Sequence, residues 1–164
     1  MTAQMGPPAA AKRAAEEMLS YWVSRRDGAR LPGRRHIDPA HIKRHLPTVS
    51  LIDVRRTPEP EYRIRLAGTG LYGMYGGEIT GKRLEEVYPD AVAQGWRAEL
   101  AGVLNDRRPA VGAHNLAWRG APHLTFMWLR MPLASDGGEV DMILGYDAPL
   151  GGVAPGPASG IRAA

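Results

Sequence analysis

The feature that most constrains this chain is the order of its strand-like runs: two close together, a helical excursion, then three in succession. Val49 to Val54 is a short β-rich run, and Tyr62 to Leu66 alternates apolar and charged residues, as a strand with one buried face does. Pro58 and Pro60 make the turn between them, so the pair is spaced as an antiparallel hairpin. Ala110–Trp118, Leu124–Leu133 and Val140–Tyr146 follow, separated by Arg119-Gly-Ala-Pro122 and Ser135-Asp-Gly-Gly138. The Asp-Gly pair is a hairpin signal because it supplies the positive φ that tight hairpin turns need. Connections this short join antiparallel neighbours, since parallel strands need a long crossover. The expectation is an α+β fold: a single antiparallel sheet of about five strands with helices on one side.

The helices read from period and punctuation. From Ala9 to about Arg26, Ala15, Met18, Leu19, Trp22 and Val23 fall on one apolar stripe. That stripe must be buried either on its own domain or on a second copy. Met18, Leu19, Trp22 and Val23 are therefore the candidate dimer or partner interface. Asp38-Pro39 opens a short helix, because Asp caps free N–H groups and Pro is tolerated at the first helical position; Pro47 ends it. Thr80 is placed to cap a helix over Lys82–Val87. Asp90 is placed to cap a longer one carrying Val92, Trp96, Leu100, Val103 and Leu104. Residues 1–8, with Gly6, Pro7 and Pro8, read as disordered, 9–47 as an N-terminal helical extension and 48–147 as the domain proper. The Gly/Pro/Ala-rich residues 148–164 read as a disordered tail.

Composition narrows the chemistry. A chain of 164 residues suits one domain with appendages. It has no cysteine, which excludes disulfides, thiolate zinc sites, thiol nucleophiles and a cysteine-linked flavin. No run approaches the ~18 apolar residues of a membrane span, and the first fifteen residues lack a signal-peptide core, so a cytoplasmic protein is the default. The first 66 residues carry 13 Lys/Arg against 7 Asp/Glu. Nucleic-acid binding by this basic third is the alternative function class. Arg30-Leu-Pro-Gly-Arg-Arg-His36 lacks the interleaved aromatics that single-strand binding favours, and a solvated face is the preferred reading.

Gly68-Thr-Gly-Leu-Tyr-Gly73 is a literal G-x-G-x-x-G after a strand. A dinucleotide site also needs a continuing helix, a parallel β-α-β unit and an acidic strand end ~20 residues on. Gly73, Gly76 and Gly77 would weaken the helix by about 1 kcal/mol each, and the strands are antiparallel. The motif fails in this context.

Leu19-Ser-Tyr-Trp22, Arg30-Leu-Pro-Gly-Arg-Arg34, Ile37-Asp-Pro39 and Leu46-Pro47 together resemble the opening of a bacterial PAS-type family. Tyr62-Arg-Ile-Arg-Leu-Ala-Gly-Thr69, Gly76-x-x-x-Thr-Gly81 and Met131-Pro-Leu-Ala-Ser-Asp-Gly137 are similar to its later blocks. The family is known mainly from small, largely uncharacterised alphaproteobacterial proteins, and the resemblance spans about residues 15–147. It implies a sheet of order 2-1-5-4-3 with helices over one face. It also implies a stand-alone sensory or interaction module, a homodimer with a histidine kinase or other signalling protein as partner. The cofactor is left unknown, with a small organic ligand as the open class. The helix over 90–106 has no histidine to ligate heme, and His114 and His123 lack ligand-type spacing.

A pocket in such a fold lies between sheet and helices. Its candidate lining is Tyr62 and Ile64 from one strand and Leu71, Tyr72 and Tyr75 from the Gly-rich segment. Trp96 and Leu100 come from the long helix, and His114, Asn115 and Met127 from the later strands. Strand alternation makes Tyr62, Ile64 and Leu66 one face. The competing reading is that these side chains simply fill a core. No nucleophile elbow, phosphate loop, metal-ligand cluster or paired catalytic carboxylates appear, so an enzyme is not expected.

Overall fold

The computed structural model describes residues 7–56 and 58–151. Its strands are β1 (Val49–Arg56), β2 (Pro60–Ala67), β3 (Ala110–Leu116), β4 (Ala121–Leu133) and β5 (Met142–Gly151). They form one antiparallel sheet in the order β2-β1-β5-β4-β3, the order and class that sequence and resemblance imply. The helices are α1 (Pro7–Ser24), α2 (Thr69–Tyr75), α3 (Leu84–Val87) and α4 (Asp90–Asp106), with a 3-10 segment over Pro39–Thr48.

Strand alternation divides the sheet into two faces. On β4, Trp128 and Arg130 point to the side covered by α2, α3 and α4, whereas Met127 and Leu129 point to the side covered by α1. On α1, Ala11, Ala15, Met18 and Trp22 are buried, and the Trp22 Nε1 donates to the Pro132 carbonyl at 2.9 Å. That carbonyl needs a partner because β3 pairs with β4 only as far as Arg130. Met18 and Trp22 are thus corrected from an intermolecular interface to the chain's own core, where each contributes roughly 1.5–3 kcal/mol of apolar burial. Leu19 is half-buried and Val23 is 54% exposed.

Other local expectations change for identifiable reasons. A bulge at Arg65 of β2, across from the Leu51–Ile52 step, sets Leu66 opposite Leu51 and Ile64 opposite Ile52. Leu66 leaves the Tyr62–Ile64 face and is 44% exposed. Asp38 does cap its segment, accepting from Ala40 N at 2.9 Å. Thr80 caps nothing; Glu86 instead reaches back to accept from Arg83 N at 2.7 Å at the start of α3. β5 continues to Gly151, so residues 148–151 are strand rather than tail. Pro149 fits there because it lies next to an irregularity at Thr125/Phe126. The remaining segments expected to be disordered, 1–6 and 152–164, lie outside the described residues.

The first two glycines of the G-x-G-x-x-G have a packing explanation. A Cβ on Gly68 would collide with the Leu46 and Pro47 carbonyl oxygens, and one on Gly70 would lie 2.8 Å from the latter. Gly76 ends α2 with φ +74°, the left-handed cap that glycine tolerates. The motif lets α2 seat on the end of the 3-10 segment.

Candidate functional site

Between the sheet and α2–α4, the space is filled. The cavity that remains is about 10 Å³, at or below what one water needs. At its centre Arg130 of β4 donates through Nη2 to Asp147 Oδ1 of β5 at 3.1 Å, with side chains only 4% and 1% exposed. The Arg130 Nη1 also donates to the Leu129 and Tyr146 carbonyls. Its guanidinium lies 4.8 Å from the Trp96 ring centroid and 5.9 Å from Trp128, in cation–π range. Gly145 opposite leaves it room, since a Cβ there would fall 3.3 Å from Nη1.

Aromatic side chains roof this ion pair. The Tyr88 hydroxyl donates to the Tyr75 hydroxyl at 2.9 Å, and Trp118 packs edge-on against Tyr88. Burial pushes both tyrosine hydroxyls above their ordinary range. Burial also holds the Asp147 carboxyl above the usual carboxylate range, although Arg130 pulls it down. For Arg130, desolvation opposes the cation, but the Asp147 carboxylate outweighs it and the pKa rises. Among the described residues, the buried Trp96 and Trp118 indole N–H groups and the Tyr62 hydroxyl make no hydrogen bond. Each such group costs about 1–3 kcal/mol of desolvation.

Among the described residues a groove opens on each face of the sheet beside β3. On the helix-covered face, a cleft of about 380 Å³ runs between α4 and β3. Ala91, Gly95 and Glu99 form its α4 wall, His114 its β3 wall and Trp96 with Trp128 its floor. On the opposite face, a groove of about 320 Å³ lies between α1 and the β3–β4 pair. Lys12, Glu16 and Leu19 border it, with Val111, Met127 and Leu129 opposite.

The sequence-derived pocket is therefore brought together only in part. Ile64, Leu71, Tyr75, Trp96 and Leu100 do converge on the interior. Tyr62 is buried on the same sheet face, whereas Tyr72 is half-buried and outside the interior lining. His114 sits in the outer cleft beside Trp96, with ring centroids 5.7 Å apart. Asn115 is exposed, its Oδ1 accepting from Ala117 N at 3.0 Å in the turn after β3. Met127 points to the α1 face, because alternation sends it opposite to Trp128. The sequence reading missed Arg130 and Asp147. The available signal was a lone charge inside the apolar run Leu124–Leu133 and a lone acid inside the otherwise uncharged Met142–Gly151, since charges are buried only when paired.

The basic segment Arg30–His36 is engaged with its own protein. Arg30 donates to the Asp136 carbonyl at 2.6 Å, Arg34 to Ile37 at 3.1 Å and Arg35 to Ser135 at 3.2 Å. Among the described residues no helix is long and apolar enough to cross a membrane, and no group of three or more His, Asp or Glu is placed to hold a metal.

No curated protein matches the chain. A family model described as the PAS domain matches residues 10–147, from the second turn of α1 to the buried Asp147.

Proposed function

The chain belongs to the PAS domain family, whose members are sensory or interaction modules, and we propose that this one works chiefly by engaging a protein partner in a signalling pathway. A histidine kinase or a comparable bacterial signalling protein is the class of partner. The observation that carries this reading is the contrast between the filled interior and the open edge. The space between sheet and helices retains about 10 Å³, whereas grooves of about 380 and 320 Å³ flank the edge strand β3. Partner binding at that edge would be felt inside, because Trp96 floors the cleft and also stacks over Arg130. Arg130 and Asp147 lie on β4 and β5, the strands on whose other face α1 packs. Occupancy of the edge would thus bias how α1 sits, which is the two-state element such a switch needs.

A photo-crosslinking amino acid placed at Val111 or His114 tests this in cells, with Arg65 on the opposite edge strand as the control. Adducts with another protein from the β3 positions and none from Arg65 support the reading. Adducts from none of the three positions overturn it.

A second reading is favoured by the unpartnered Trp96 and Trp118 N–H groups: a small acceptor-bearing ligand, admitted through the α4–β3 cleft by movement of the aromatic side chains. Native mass spectrometry of freshly purified protein decides it. A retained small molecule whose loss accompanies Trp96→Phe supports the ligand, and a mass equal to the bare chain opposes it.

A further inference from the structure

We infer that β3 is a strand-addition site, where a partner protein lays an extended segment along the free edge of the sheet and sends alternate side chains into the two flanking grooves. The inference rests on the interaction-module reading and specifies its contact. The two edges of this sheet are built differently. β2 carries Glu61, Arg63 and Arg65 and starts at Pro60. Its outer side is already paired, with Ile64 N donating to Lys82 O at 2.8 Å and Gly81 N to Ile64 O at 2.7 Å. Charge, proline and a covering segment are the usual means of blocking an edge.

Among the described residues β3 has none of these. Ala110-Val-Gly-Ala-His-Asn-Leu116 contains no Lys, Arg, Asp, Glu or Pro, and its pairing with β4 is regular from Ala110 to Asn115. Val111 is 62% exposed on it. Ala110, Gly112 and Ala113 keep side-chain bulk off the edge, and glycine suits position 112 because a Cβ would lie 2.5 Å from the Trp128 ring and force it to shift. A sixth strand would lie about 4.8 Å beyond β3, with successive side chains pointing to opposite faces. One set then enters the α4 cleft over Trp96 and Trp128, and the other the α1 groove against Leu19 and Met127. Backbone hydrogen bonds supply affinity in this mode, and the alternate pockets supply selectivity.

The occupant is a segment of a different protein with large apolar side chains at alternate positions. A second copy of β3 would bring two alanines, a glycine, one valine and the polar His114 and Asn115, with Leu116 already buried in its own core. It offers no large apolar side chains at alternate positions for grooves of this size. Charge adds one feature. Glu99 on the cleft wall makes no ion pair among the described residues, and neither does Arg or Lys line that cleft. A Lys or Arg of the incoming segment fits beside it.

The test uses the full chain and a panel of labelled nine-residue peptides with acetylated and amidated ends. Each peptide alternates leucine, valine, isoleucine, phenylalanine or methionine with lysine, and binding is read by fluorescence anisotropy. At least one peptide is expected to bind, and N-methylation of alternate residues should abolish binding on one peptide edge and spare it on the other. Val111→Lys and Gly95→Trp, both at exposed positions, should each weaken binding tenfold or more while leaving the circular dichroism spectrum unchanged. Absence of binding across the panel, or binding indifferent to N-methylation and to both substitutions, overturns strand addition. Sedimentation showing a dimer that Val111→Lys dissociates would overturn the choice of occupant in favour of a second copy. Failure here combined with protein adducts from Val111 leaves the interaction module standing and removes only this mode of contact.

Discussion

Replacing Arg130 by methionine tests the account of the interior most directly. The substitution keeps the length of the side chain but strands the Asp147 carboxyl, only 1% exposed, without its cation. Breaking one side of a buried pair costs about 3–5 kcal/mol. At roughly 2–4 °C per kcal/mol for a chain of this size, the melting temperature should fall by about 6–20 °C. The pH dependence follows from the carboxyl. Burial already raises its folded pKa above the unfolded value, and loss of Arg130 raises it further. The folded state then binds more protons than the unfolded one, so stability is fullest below about pH 4 and is lost as pH rises through the folded pKa. Within that window the loss approaches about 1.4 kcal/mol per pH unit. Arg130→Met combined with Asp147→Leu removes the carboxyl as well and should recover most of the stability with a flat pH profile, because a packed apolar replacement avoids both desolvation costs. Urea unfolding followed by circular dichroism at pH 5 and pH 8 measures all three proteins. A single variant that loses less than about 1 kcal/mol, or a double variant no better than the single, would refute the view that the pair is buried and mutually dependent.

Gly112→Ala should destabilise by about 1–3 kcal/mol through overpacking against Trp128, seen as a lower urea midpoint and an altered tryptophan emission. Arg119→Ala removes hydrogen bonds to the Met74 and Gly73 carbonyls at 2.7 and 3.1 Å. Amide exchange should accelerate over α2 and leave the central strands unchanged. Glu17 feels burial pushing its pKa up, but Arg44 at 2.6 Å and His45 at 3.0 Å outweigh it and hold the carboxyl below its ordinary range. The contact between α1 and the 3-10 segment should therefore be present above the unfolded carboxylate pKa and weaken as pH falls through the folded one. Glu17→Gln should flatten that acid dependence in thermal melts between pH 6 and pH 3.

Much of the architecture was legible along the chain because its signals are local. Alternation in Tyr62–Leu66, the Asp-Gly turn after Leu133 and the apolar stripe through Trp96, Leu100 and Val103 each report on a few consecutive residues. Where the reading slipped, the deciding contact was distant. The stripe on α1 announced burial, yet only the sheet could say that Met18 and Trp22 pack on β4 and β5 of the same chain. Leu66 left its face because Arg65 is an extra, unpaired residue in β2, a bulge that only the pairing with β1 reveals. Met127 and Trp128 are adjacent in sequence and belong to opposite surfaces, a division fixed by pleat and by the helices laid on each side.

By itself, then, the sequence determined the element order, the antiparallel sheet and the family, because hydrophobic period and turn chemistry act over short spans. Only the tertiary structure decided that the interior is closed around Arg130 and Asp147, residues 17 apart that meet across neighbouring strands. It also decided that, among the described residues, open grooves flank β3 while the glycine-rich segment is packed against its own protein. Whether a space is filled depends on how side chains from four elements interdigitate, and that sum of volumes is not written in any one stretch of chain.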